Sequence, residues 1–145
     1  MRVQDYELPD ELHYHKEHTW VRVEDDGRVR VGLNDFAQAA AGDITYVDLP
    51  FDGDEVEEGE TCGKIQSSKW VGKLIAPVSG EITEVNEELE NDATLINRSC
   101  YADGWIILIQ PGNLDEELAN LMQGQAAADW LAKEIEQVEK EKQGE

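Results

Sequence analysis

Apolar and polar positions alternate over short stretches, a pattern that predicts β-strands along most of the chain. Residues 19–23 and 29–31 carry β-branched and aromatic side chains at a period of two, as half-buried strands do. Asp25-Asp26-Gly27 lies between them and favours a hairpin turn, because glycine readily adopts a positive φ. Many short strands at regular spacing are typical of a sandwich or a barrel. Further strands are predicted at residues 44–49, 62–65, 71–76, 81–85 and 105–109.

Two segments have helical signals instead. Asn34 is suited to cap a short helix over residues 35–40, which Gly42 would end. Asn113 is suited to cap a second helix that runs to Met122 and has Glu116 at the third position of a capping box.

The last helical segment, residues 126–142, is amphipathic. Leu131, Ile135 and Val138 fall on one stripe, with charged residues elsewhere. We expect this helix to pack on the β domain; a helix that docks a partner protein is the alternative. With 145 residues, the chain is expected to form one domain, 1–145, with a core at about 11–112 and a helical segment at about 113–142.

The charge is strongly acidic. Thirty-three Asp and Glu face twelve Lys and Arg, giving a formal net charge of −21. Nucleic acid and anionic membrane partners are therefore not expected, because phosphate binding needs clustered cations. The acidic surface predicts a soluble monomer, and a salty or alkaline habitat would also explain it.

Other sequence features predict a cytoplasmic protein. Residues 1–10 are polar and unlike a signal peptide. The longest apolar stretch, residues 105–109, is far shorter than the roughly twenty residues that span a membrane.

Few residues form a pattern that carries chemistry. Alternation would place His13 and His15 on one strand face, where they could bind a metal, but neither they nor His18 has a supporting cysteine or carboxylate pattern. Cys62 and Cys100 have neither a CxxC nor a zinc-ligand spacing. No glycine-rich phosphate loop and no nucleophile–base–acid set is present. These observations favour a carrier or binding module over an enzyme.

A longer motif lies in residues 63–80, where Ser67 and Lys69 are followed by Pro77-Val78-Ser79-Gly80. This segment resembles the attachment hairpin of the glycine cleavage system H proteins, in which Glu-Ser-x-Lys is followed, eight positions after its lysine, by Pro-Val-Ser-Gly. The spacing from Lys69 to Pro77 is the same. The resemblance covers roughly residues 11–135, and its other matching segments are 16–20, 32–38, 42–44, 47–50, 85–89 and 104–106.

The resemblance implies a mainly β fold, a lipoyl/biotinyl-type barrel-sandwich hybrid with peripheral helices that include C-terminal ones. It also implies that a lipoate ligase or lipoyl transferase attaches lipoate to Lys69 through an amide, on an exposed turn. Gln66, Ser67, Ser68 and Trp70 would be the flanking recognition residues. Biotin is not expected, because its Met-Lys-Met signature is absent. Such a cofactor does the chemistry, while the protein supplies reach, orientation and partner choice.

The residues around Lys69 depart from the family pattern. Gln66 stands where the family has Glu, and Ser68 where it has a small aliphatic residue. Trp70 replaces alanine, and Lys73 replaces an acidic residue. These changes suggest a different set of client enzymes.

Cys62 and Cys100 are also unusual for the family, which tends to have an aromatic residue near the first position and Pro or Asp near the second. Buried cysteines usually act as small hydrophobic residues, and a redox or persulfide-relay role is the alternative.

Three functions follow from the resemblance. The altered residues resemble those of divergent H-like lipoate-binding proteins in sulfur-oxidising bacteria, which implies a lipoyl arm that works with a heterodisulfide-reductase-like complex in the cytoplasm. The first alternative is an H protein that carries an aminomethyl group between glycine decarboxylase, aminomethyltransferase and dihydrolipoamide dehydrogenase. The second is an interaction module that is not lipoylated. In each case the chain is a carrier or binding protein and not an enzyme.

Overall fold

The computed structural model describes residues 2–4, 6–68 and 71–143. These residues include eleven strands and five helices. The strands are β1 (Arg2–Val3), β2 (Tyr6–Glu7), β3 (His13–Tyr14), β4 (Thr19–Val23), β5 (Val29–Leu33), β6 (Ile44–Asp48), β7 (Glu55–Val56), β8 (Thr61–Ser67), β9 (Val71–Ile75), β10 (Gly80–Val85) and β11 (Ile107–Pro111). The helices are α1 (Asp35–Ala41), α2 (Glu88–Asn91), α3 (Leu95–Arg98), α4 (Leu114–Ala119) and α5 (Gln125–Gln143).

The strands form three antiparallel sheets in the described part of the chain. The largest has six strands in the order β3-β4-β5-β11-β10-β7, and a second has three in the order β6-β8-β9. A two-stranded ribbon, β1-β2, completes the set. The predicted mainly β class with peripheral helices is confirmed.

Local sequence signals account for the first hairpin and the first helix. Gly27 has a φ of 89° in the turn between β4 and β5, as the Asp-Asp-Gly sequence predicts. The Asn34 side chain accepts a hydrogen bond of 2.8 Å from the backbone N–H of Ala37, which caps α1. Gly42, with a φ of 75°, ends that helix. These predictions are confirmed, since each depends on contacts within a few residues.

The main hydrophobic cluster takes residues from both larger sheets. Val31 and Ile107 from the six-stranded sheet and Ile65 and Leu74 from the three-stranded sheet are fully buried in it. Burial of this apolar surface is the principal force that holds the two sheets together.

A second cluster joins the two ends of the chain. Val3 and Leu8 from the N-terminal segment pack with Trp20 of β4 and with Leu131 and Ile135 of α5. The predicted apolar stripe of the last helix is thus buried against the β domain. It is therefore not a free face that could dock a partner protein.

Four predicted details are wrong. Val23 is 43% exposed, because it lies at the end of β4 beyond the buried part of the strand. Helix α4 ends at Ala119, and the Asn113 side chain bonds the Glu116 side chain in place of the backbone, so no capping box forms. The last strand begins at Ile107 and not at Trp105. Two short helices that the sequence did not predict, α2 and α3, are anchored by buried Leu89 and Ile96. None of the helices in the described ranges is long and apolar enough to span a membrane.

Candidate functional site

The segment that resembles an attachment hairpin is formed by β8 and β9. Gln66 pairs with Val71, and residues 67–70 connect the two in sequence. Lys69 and Trp70 lie outside the described residues, so the predictions made for them stay predictions. The strands on either side of them are described and show what kind of support this connection has.

The described residues that flank the connection are accessible to solvent. Gln66 and Ser68 are exposed, Ser67 is half-buried, and Val71 is 63% exposed. The Thr45 hydroxyl donates a 3.3 Å hydrogen bond to the backbone carbonyl of Gln66, which links β6 to the end of β8. A modifying enzyme could therefore approach both sides of the connection.

The inner side of the hairpin is held firmly in the core. Ile65, Leu74 and Ala76 are fully buried in the main cluster. At Gly63, an added Cβ would lie 2.8 Å from the backbone oxygen of Asp48, so glycine allows β6 and β8 to approach closely. A buried base with exposed residues at the tip presents the connection on a rigid support.

The Pro-Val-Ser-Gly motif ties this hairpin to the rest of the domain. The Ser79 backbone N–H and hydroxyl donate to the two carboxylate oxygens of Glu117, at 2.8 and 2.9 Å. The Ser79 hydroxyl oxygen also accepts from the backbone N–H of Glu58 at 2.9 Å. The sequence alone does not point to Glu117, because nothing near it in the chain indicates that α4 packs beside this motif. Val78 is fully buried, so the motif has a structural role here.

Gly80 of this motif has no room for a side chain. An added Cβ would lie 2.2 Å from the backbone oxygen of Gln110 and 2.8 Å from Cγ2 of Ile109. We expect Gly80→Ala to lower the free energy of unfolding by about 2–3 kcal/mol, since β10 must shift away from β11. Gly112→Ala is the matched control, because nothing lies within 4 Å of its added Cβ. Guanidinium denaturation compares the two, and equal stabilities would contradict this account.

Cys62 and Cys100, the candidate redox residues, are buried free thiols. Burial raises the pKa of each thiol to about 12. Cys62 belongs to the main cluster and directs its Sγ to the Leu74 carbonyl oxygen at 3.4 Å. The backbone carbonyl of Cys100 accepts a hydrogen bond from Trp20. These surroundings are those of small hydrophobic residues, and the geometry lends no support to a redox or persulfide relay.

The two thiols are therefore expected to react slowly in the native protein. With a pKa of about 12, about one thiol in 10⁴ is ionised at pH 8, and the thiolate is the reactive species. A colorimetric disulfide reagent should detect no fast-reacting thiol in the folded chain and two after denaturation in guanidinium. Fast reaction of either thiol in the folded protein would restore the redox hypothesis.

Two of the three histidines, His15 and His18, have separate structural roles. His15 accepts a backbone hydrogen bond from Glu17 at Nδ1, so its Nε2–H donates to the Glu58 carboxylate at 2.7 Å. The His18 ring packs against Trp130, with the ring centroids 4.9 Å apart. Within the described ranges, no group of three His, Cys, Asp or Glu is placed to bind a metal ion.

Known proteins with a similar sequence share one description. The family described as Glycine cleavage H-protein matches residues 12–134. A "Probable glycine cleavage system H protein" of Thermococcus gammatolerans is 46% identical over 131 residues, which cover 90% of this chain and 97% of the relative. A "Glycine cleavage system H protein" of Halalkalibacterium halodurans is 49% identical over 109 residues, which cover 75% and 84%.

A solved structure agrees with the sequence matches. The crystal structure of a glycine cleavage system H protein from Mycobacterium marinum superposes with a TM-score of 0.69 at 36% identity. The match covers 78% of this chain and 98% of the solved one. The narrower likeness to a sulfur-oxidising branch finds no support in these matches. The fold, the hairpin with its Pro-Val-Ser-Gly base and the match over residues 12–134 together show that the chain belongs to the glycine cleavage H-protein family.

Proposed function

We propose that this chain is the H protein of a glycine cleavage system and carries lipoate on Lys69 through an amide. Members of the family carry lipoate on a lysine and are carriers, not catalysts. The observation that carries the proposal is the β8–β9 hairpin, whose connection includes Lys69 in sequence, eight residues before Pro77. The aminomethyl cargo is preferred to a sulfur compound, because the Thermococcus and Halalkalibacterium relatives are named as glycine cleavage proteins.

The described residues of the hairpin fit such a cofactor. Exposed Gln66 and Ser68 on one side and exposed Val71 on the other leave space for a ligase or lipoyl transferase. Amide formation removes the positive charge of the lysine. When bound, lipoate supplies a dithiolane that interconverts between disulfide and dithiol forms.

The protein's own contribution is to present Lys69 on a rigid support. Buried Ile65 and Leu74 hold the two strands on the core, and Ser79 fixes the base of the hairpin to Glu117. A tethered group near a docked enzyme reacts at a high effective concentration, so firm presentation favours transfer. The enzymes served are glycine decarboxylase, aminomethyltransferase and dihydrolipoamide dehydrogenase. We place this monomeric carrier in the cytoplasm as part of the same proposal.

Reconstitution tests the proposal. The purified chain is first treated with a lipoate ligase, ATP and lipoate, and intact mass measures the fraction that gains one lipoyl group. The modified chain is then combined with the three enzymes, glycine, tetrahydrofolate as the one-carbon acceptor and NAD⁺ as the oxidant, and NADH formation is followed. Glycine-dependent NADH formation that requires the modified chain is the expected result.

Two results would favour the alternatives. A chain that stays unmodified would be an interaction module. A chain that is modified, but inactive with the three enzymes and active with a heterodisulfide-reductase-like complex, would carry sulfur compounds.

A further inference from the structure

The outer face of the three-stranded sheet is unusual in composition. Along β6, β8 and β9, inward-facing Val47 and Ile65 are buried, while the alternate positions are exposed. The strand register arranges the exposed residues in two rows of three. The row next to the connection is Tyr46, Gln66 and Val71, and the row behind it is Asp48, Lys64 and Lys73. We call these six residues the hairpin face.

Four of the six residues of the hairpin face lie in a part of the chain that lacks acidic residues. Between Glu60 and Glu81, twenty consecutive residues contain three lysines and no Asp or Glu, in a chain whose net charge is −21. Lys64 and Lys73 are exposed and stand directly opposite each other in the β8–β9 register. Neither forms an ion pair within the described residues, although Asp48 lies opposite Lys64 on the other side.

The Lys64–Lys73 pair is unfavourable for the isolated protein, because Asp48 can offset the charge of Lys64 but lies two strands away from Lys73. Like charges directly opposite on one sheet face repel and destabilise the strand pair. Lipoylation of Lys69 would neutralise the third lysine of the segment and leave the Lys64–Lys73 pair in place. A negatively charged group from outside the chain would remove the repulsion.

The row beside the two lysines indicates what kind of molecule carries that negatively charged group. Tyr46 is 54% exposed and Val71 is 63% exposed, and both are large apolar residues that monomeric proteins more often bury. Asp48 and Lys64 also line a groove that runs past Phe51 and Glu60, and the other four residues lie on the outer surface of the sheet. Exposed aromatic and apolar side chains beside charged ones are typical of a protein interface.

We propose that the hairpin face docks the carboxylate-bearing surface of an enzyme that acts on the Lys69 arm. This inference rests on the proposed carrier function. Lys64 and Lys73 pair with acidic side chains of the enzyme, while Tyr46 and Val71 supply apolar contact. Because most of this chain repels an acidic partner, the lysine pair also orients the encounter so that the connection between β8 and β9 meets the enzyme first.

Charge reversal at the two lysines tests this docking. The variant Lys64→Glu/Lys73→Glu is compared with Lys133→Glu/Lys140→Glu on exposed positions of α5, and both change the net charge from −21 to −25. Each lipoylated variant serves as substrate for glycine decarboxylase, aminomethyltransferase and dihydrolipoamide dehydrogenase over a range of salt concentrations. For at least one enzyme, the hairpin variant should raise KM about tenfold, leave kcat within about twofold, and weaken the salt dependence of KM. The α5 control should change KM by less than about twofold.

Several results would overturn the proposal. One is equal KM values for the two variants with all three enzymes, when intact mass shows equal lipoylation and circular dichroism shows equal folding. Another is a salt-sensitive dimer of the wild type that the hairpin variant loses without a change in KM, because this would assign the face to a second copy of the chain.

Direct binding measurements distinguish failure of the docking proposal from failure of the proposed carrier function. If wild-type protein gives no turnover, calorimetric titration into each of the three enzymes still measures docking. Binding that is weakened about tenfold by the hairpin variant, and not by the α5 control, supports the docking surface. Absence of wild-type binding to all three enzymes overturns it.

Discussion

Replacing Lys69 with arginine should abolish lipoylation and reduce glycine-dependent NADH formation to the level measured without the protein. Amide formation needs a neutral amine as nucleophile, and the arginine guanidinium stays protonated at every accessible pH. The variant keeps the charge and approximate size of the side chain, so the loss can be assigned to the missing amine. Intact mass after ligase treatment and the reconstituted reaction measure the two effects.

Two matched variants make this result specific. Lys64→Arg and Lys73→Arg change neighbouring lysines of the same hairpin and should still gain one lipoyl group. Because the described residues on both sides of Lys69 are exposed, Lys69→Arg should change the free energy of unfolding by less than about 0.5 kcal/mol. A lipoyl group on the Lys69→Arg chain would show that another lysine is the attachment point.

Truncating Trp20 to alanine should destabilise the protein more than adding a methyl group at Gly80. The Trp20 side chain is fully buried, and its Nε1–H donates to the backbone carbonyl of Cys100 at 2.9 Å. The ring lies over Gly32 on the neighbouring strand, where an added Cβ would come within 2.7 Å of it. Trp20→Ala would leave a cavity in the second cluster and an unpaired carbonyl, so we expect a loss of about 3–5 kcal/mol.

Trp20→Phe separates the two contributions. The phenyl ring retains most of the apolar contact but has no N–H for the Cys100 carbonyl, and a loss of about 1–3 kcal/mol is expected. Guanidinium denaturation followed by far-ultraviolet circular dichroism suits both variants, because tryptophan fluorescence changes with the mutation. A loss below about 1 kcal/mol for Trp20→Ala would mean that the ring does not organise the second cluster.

The elements predicted well are those whose signals lie within a few residues of each other. The β4–β5 hairpin follows from alternation and Gly27, and α1 follows from its cap at Asn34 and its end at Gly42. The buried stripe of α5 follows from a period of 3.6. Each signal reflects a local preference of the backbone, so it survives without knowledge of distant neighbours.

The predictions that failed have causes of two kinds. The capping box at Asn113 fails for a local reason, because the side-chain amide donates to the Glu116 carboxylate three residues later and does not accept from the helix backbone. Residues 88–98 were assigned no helix, and a distant cause, the packing of Leu89 and Ile96 against the main cluster, makes their segments helical. Tertiary packing commonly overrides weak local propensity in this way.

The candidate site shows the same difference between features set by local sequence and features set by tertiary contacts. The sequence by itself determined the motif of Ser67 and Lys69, its spacing to Pro77 and the strands on either side, because these depend on residue type and order along one segment. Only the tertiary structure decided that Glu117 holds Ser79, since α4 reaches that motif through the folding of the chain.

Both the sequence and the strand register were needed to identify the hairpin face. Three lysines without an acidic neighbour are visible in the sequence, but strand register decided that Lys64 stands opposite Lys73 and that Tyr46 lies in the same row as Val71. A shift of one residue in that register would have turned these side chains toward the core. Residue order therefore determined which groups this protein carries near Lys69, and tertiary pairing decided which of them share a surface.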